Sequence, residues 1–92
     1  MTQYEALVQL INGVGSQSAL ARHLRMASGE PIKQGHVSYW LRIKKALPEK
    51  HAVSAIALFR EQQGDEAANK LAPTLCPAVF PPLDDANRAA YG

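Results

Sequence analysis

Two apolar stripes at helical spacing, joined by a glycine- and proline-bearing turn, constrain this chain more than any other feature. Leu20, Ala21 and Leu24 recur at one-turn intervals, and so do Val37, Trp40 and Leu41. Residues 26–31 between them hold Gly29 and Pro31 close together and read as a turn. Where one helix crosses another closely, the crossing point needs a small side chain, and Ala21 supplies it. Val37 and then Trp40, one turn later, face back into a core. The opposite side of the second stripe carries Gln34, His36, Ser38 and Tyr39, polar groups long enough to reach a partner. The spacing predicts a helix-turn-helix over residues 16–42.

The rest of the chain is also read as helical. Thr2 is the expected N-cap of a first helix, with Glu5 three residues on as its capping-box partner. Tyr4, Leu7, Val8, Leu10, Ile11 and Val14 form its apolar face, and the 12–15 segment with Gly13 and Gly15 ends it. Ser16 caps a second helix that runs to about residue 24 or 25. A third begins near 32 or 33. Pro48 and Glu49 suit the first turn of a fourth, whose expected buried face is Ala52, Val53, Ile56, Ala57 and Phe59, with Gly64 as its stop. Residues 65–71 are expected to form one or two weak helical turns. The 73–82 stretch carries four prolines and is expected to be an extended arm, followed by a frayed polar tail over 83–92. No alternation of period two is present. The reading is therefore an all-α fold of four or five short helices, with a domain over 1–72 and a C-terminal arm over 73–92.

Ninety-two residues make room for one modest core. The formal net charge of +2 conceals an asymmetry. Residues 1–50 hold seven Lys/Arg against three Asp/Glu, whereas residues 51–92 hold three against five. The excess lies in Arg22, Arg25, Lys33, Arg42, Lys44, Lys45 and Lys50, opposed only by Glu30 and Glu49 in that stretch. A local basic segment is the footprint of a polyanion-binding face.

Other chemistries find little support. His23, His36, His51 and Cys76 are separated by 13, 15 and 25 residues, and none of these is a metal-ligand spacing. No metal or cofactor is expected; His23 and His51 are expected on the surface and Trp40 in the core. Cys76 has no neighbouring base to activate it, and no nucleophile–base pair or phosphate-cradling glycine loop occurs, so an enzyme is not expected. No apolar run reaches ~18 residues, and the N-terminus lacks the pattern of a secretory signal, which together predict a cytoplasmic protein.

Four stretches resemble one family. Residues 15–25 (GSQSALARHLR), 32–42 (IKQGHVSYWLR), 46–58 (ALPEKHAVSAIAL) and 75–81 (LCPAVFP) are similar to the YdaS-type Cro-like regulators of prophages, and more loosely to the phage Cro repressors. The likeness covers roughly residues 13–82. It departs in the turn: the commoner pattern leaves about four residues between the first helix and the reading helix, and residues 26–31 make the turn about six residues longer, which shifts the start of the reading helix by a residue or two.

The resemblance implies a lambda-repressor-like helix-turn-helix domain that binds double-stranded operator DNA as a repressor in a phage or prophage switch. The helix over 33–42 would enter the major groove. Lys33, Gln34, Gly35, Ser38, Tyr39 and Arg42 would be its contact positions, with Gln34 suited to adenine and Gly35 permitting close approach. Gln17 would sit beside the free N–H groups at the start of the leading helix, His36 would face DNA or solvent, and Lys44 and Lys45 would meet phosphates. A homodimer on a pseudo-palindrome is expected, associating through the fourth helix and the arm. The alternative is a toxin–antitoxin component that docks on a protein partner through the 75–80 arm.

Overall fold

The structure, a computed structural model, describes residues 1–81. Five α-helices follow one another: α1 (Gln3–Val14), α2 (Gln17–Ser28), α3 (Gln34–Tyr39), α4 (Ala52–Gln63) and α5 (Asp65–Leu75). A π-helical turn (Trp40–Lys44) prolongs α3, and a 3-10 turn (Glu49–His51) leads into α4. Among the described residues there is no strand, and no helix is long and apolar enough to cross a membrane.

The helix starts follow the capping chemistry. The Thr2 hydroxyl accepts from the Glu5 N–H at 3.1 Å while Glu5 reaches back to the Thr2 N–H at 3.2 Å, which closes the capping box. The Ser16 hydroxyl accepts from the Ala19 N–H at 3.0 Å. Gly29 ends α2 in the left-handed conformation, φ 75°. α2 thus runs one turn further than expected, and the connection to α3 is residues 29–33. Ile32 is buried and ties that connection to the core.

The core gathers Ala6, Leu7, Leu10 and Ile11 of α1, Leu20, Ala21 and Leu24 of α2, Val37 of α3, Ala52, Ala55, Ile56 and Phe59 of α4, and Ala68, Leu71, Ala72 and Leu75 of α5. α1 packs on α4 and α5, α2 on α3 and α4, and α4 on α5. The expected α4 face needs correction. Val53 is 62% exposed and Ala57 is exposed, because the buried stripe runs through Ala52, Ala55, Ile56 and Phe59. Tyr4, expected inside α1's face, is exposed.

Gly13 has a different role from the expected helix stop. It lies within α1, against the ring of Phe59, and a Cβ there would collide with that ring. Its carbonyl accepts from Gln63 Nε2 at 3.0 Å, a second tie to α4. Gly15 ends the helix, with φ 118°. Gly13→Ala is expected to cost about 2 kcal/mol through overpacking, despite alanine's better helix propensity. Urea denaturation should show a lower midpoint at unchanged slope.

The C-terminal arm is the largest correction. α5 continues through Pro73 to Leu75, so the expected helix end at 71 is not observed and the helix runs past the expected domain boundary at 72. Pro73 forfeits one hydrogen bond near the helix end. Burial of Leu71, Ala72, Leu75 and Cys76 offsets that loss, since each large apolar side chain contributes about 1.5–3 kcal/mol. The chain then turns. The N–H groups of Val79 and Phe80 donate to the Cys76 carbonyl at 3.1 and 2.9 Å, and both side chains pack half-buried on the core. Residues 75–80 are therefore part of the fold, and Leu75 and Cys76 are not exposed for docking a protein partner or a second copy. The tail expected over 83–92 lies outside the described residues.

Candidate nucleic-acid interface

Gln17 and Gln34 open α2 and α3 respectively, and the helix packing brings their side chains together. Gln34 Nε2 donates to Gln17 Oε1 at 2.7 Å. This bond fixes the Gln34 amide and leaves its carbonyl oxygen and second N–H outward for a further partner. Gly35 follows, exposed, with open space where a Cβ would project. Ser38 is half-buried, while Tyr39 and Arg42 are exposed. Val37 is wholly buried, and Trp40 and Leu41 are half-buried against the core. The helical period thus divides α3 and its continuation into an anchoring stripe and an outward one of Gln34, Gly35, Ser38, Tyr39 and Arg42.

Lys33 is the N-cap residue of α3, exposed, in extended conformation. His36 turns back on it: Nδ1 accepts the Lys33 N–H at 2.9 Å, which satisfies one free donor of the helix start. His36 also lines an open groove of about 380 Å³ with Glu30, Pro31, Ile32, Trp40, Pro48, Lys50 and His51. It belongs to that side of the helix rather than to the stripe through Gln34 and Arg42.

The π turn was not legible in the sequence. It widens the helix end over Trp40–Lys44, and Lys45 closes it with φ 56°, a conformation that side-chain-bearing residues rarely adopt. Arg42, Lys44 and Lys45 are all exposed there. Among the described residues, none of Arg22, Arg25, Lys33, Arg42, Lys44 and Lys45 is paired with a carboxylate. Glu30, the single acidic residue between positions 6 and 48, is engaged elsewhere, at 3.0 Å from Lys50 and 3.3 Å from His51. Its bond to Lys50 holds its carboxyl below the ordinary range.

His51 was expected on the surface and is buried instead, 3% exposed, with its ring 5.5 Å from that of Trp40. Burial, seconded by Lys50, lowers its pKa, against the opposing pull of Glu30. A base whose pKa is lower folded than unfolded loses stability as pH falls, because the unfolded chain takes the proton first. Thermal stability is expected to be flat above the ordinary value of 6.5 and to fall below it, by at most about 1.4 kcal/mol per pH unit. Melting curves between pH 7.5 and 5 check this, and His51→Gln should flatten them. His23, also expected on the surface, is half-buried and bonds the Ser54 carbonyl at 3.0 Å, tying α2 to α4.

Two contributions lie outside the contact residues named from the sequence. The Trp40–His51–Glu30 cluster joins elements far apart in the chain, and nothing local announces it. Arg22 and Arg25 carry a legible signal: with Ser18 they recur at four- and three-residue steps along α2, one stripe. No family model, no curated protein and no solved structure matches the chain.

Proposed function

We propose that this chain is a sequence-specific regulator of the Cro-like repressor kind. It binds double-stranded DNA through a lambda-repressor-like helix-turn-helix formed by α2 and α3. The observation that carries this reading is the outward stripe of α3: a glutamine held by a second glutamine, an adjacent glycine with open space above it, and unpaired cations at both ends of the helix. In such a module the second helix lies in the major groove while the first crosses the backbone. Gln34 reads a base edge, adenine being the best match for its amide. Gln17 orients it from the start of α2, where backbone N–H groups meet a phosphate. Tyr39 and Ser38 contact base edges or sugar-phosphate, and Arg42, Lys44 and Lys45 contact phosphates.

One such helix covers only a few base pairs, so two copies act on a pseudo-palindromic site. Val53, exposed on α4, is available for their association. A gel-shift titration of the duplex upstream of the chain's own coding sequence tests the reading. A complex that survives a large excess of unrelated duplex is the expected result. Equal affinity for all duplexes defeats the sequence-specific reading.

A further inference from the structure

An open groove lies on the side of α3 away from its outward stripe. It holds about 380 Å³ between α3 with its π-helical continuation, the 29–33 connection and the lead-in to α4. That volume is within the range of small-molecule sites. Pro31, Ile32, Trp40 and Pro48 give it apolar walls. The rings of Trp40 and buried His51 stand 5.5 Å apart and 34° from parallel, so the groove offers aromatic surface to a planar ring.

The polar groups on the groove are set for an anion. His36 Nδ1 accepts the Lys33 N–H at 2.9 Å, so the ring proton is on Nε2, a donor with no protein partner among the described residues. Lys50 Nζ donates to Glu30 Oε1 at 3.0 Å and keeps two further N–H groups. Glu30 is the carboxylate that lines the groove, and its second oxygen lies 3.3 Å from His51 Nε2, so both its oxygens are engaged. A cation entering the groove has to displace Lys50, whereas an anion meets donors that are free. Hydrogen bonds from such donors to a charged acceptor are roughly twice as strong as those between neutral groups.

We propose that this groove binds a small planar aromatic carboxylate, with its ring against Trp40 and the prolines and its carboxylate on Lys50 and His36. Such a ligand bridges the α3 segment, which supplies His36 and Trp40, to the lead-in of α4, which supplies Pro48, Lys50 and His51. The site stands apart from the duplex contacts proposed above and does not depend on them.

Trp40 is the chain's one tryptophan, so intrinsic fluorescence reads this groove directly. The full chain is titrated with benzoate, and with acetate, benzamide and benzylammonium as comparisons. Benzoate is expected to give a saturable change with a Kd of about 1 mM, in keeping with so small a ligand. The three comparison compounds should bind about tenfold more weakly or less, since each lacks either the ring or the charge. Amide shifts in the benzoate titration should centre on residues 30–32, 36–40 and 48–51. Lys50→Met and His36→Phe should each weaken benzoate by about tenfold, because each removes a bond to a charged group. Both side chains are exposed, so each variant is expected to keep the wild-type circular-dichroism spectrum. Benzamide or benzylammonium binding as tightly as benzoate overturns the carboxylate assignment, and acetate doing so overturns the aromatic one. Wild-type affinity in both variants overturns the assigned donors. No saturable change with benzoate, or shifts centred elsewhere, overturns the site.

Discussion

Leu75→Ala is expected to lower the unfolding free energy by about 3 kcal/mol, among the largest losses any single truncation in this chain should produce. Leu75 is fully buried at the last position of α5 and belongs to the same core as Leu7, Leu10 and Leu24. Removing it leaves a cavity where α5 meets its neighbours, and a domain this small has little stability in reserve. The number discriminates, because a leucine on an exposed arm would cost no more than about 0.5 kcal/mol. Chemical denaturation of the variant against wild type measures it. The same reasoning rules out truncation near residue 71 as a means of deleting a docking arm, since that cut removes Ala72, Leu75 and Cys76 from the core.

The arm shows where sequence reasoning reached its limit. Proline content argued against a helix, and the argument is sound for an isolated peptide. Here Pro73 sits near the end of α5, and burial on both sides of it outweighs one missing hydrogen bond. Gly13 was misread for a related reason: its value lies in contact with Phe59, 46 positions away, which no local pattern reveals. His51 followed suit, buried by Trp40 and the 29–33 connection. Local chemistry was legible where it is local. The Thr2–Glu5 box, the Ser16 cap, the Gly64 stop and the stripes of Leu20, Ala21, Leu24 and Val37 are all present as the residue spacing predicts. Of the candidate site residues, Gln34, Gly35, Tyr39 and Arg42 lie on the outward face of α3 and its π-helical continuation. Their juxtaposition with Gln17 came from tertiary packing.

Gln34→Ala is expected to weaken binding to the preferred duplex by about 2 kcal/mol, or about thirtyfold, and to relax preference at a single base position. Gln34 is exposed, and its side-chain bond is to another surface glutamine, so folding stability should be unchanged within about 0.5 kcal/mol. Gln17→Ala should produce part of the same loss by freeing the Gln34 amide to rotate. The double variant should then lose less than the sum of the two single effects, since both act through one bond. Gly35→Ala supplies the complementary control. No atom lies near the added methyl group and the backbone angle is ordinary, so the fold tolerates it, yet the methyl projects from the face proposed to approach the duplex. Fluorescence anisotropy on matched and single-substituted duplexes separates these effects from any change in folding.

The central claim is that α2 and α3 present a reading face for a particular DNA sequence. Selection of bound duplexes from a random-sequence library by the purified chain tests it most directly. The account predicts enrichment of a short motif in two inverted copies, with centres about 10 base pairs apart or a multiple of that. Recovered sequences indistinguishable from the starting library would contradict it.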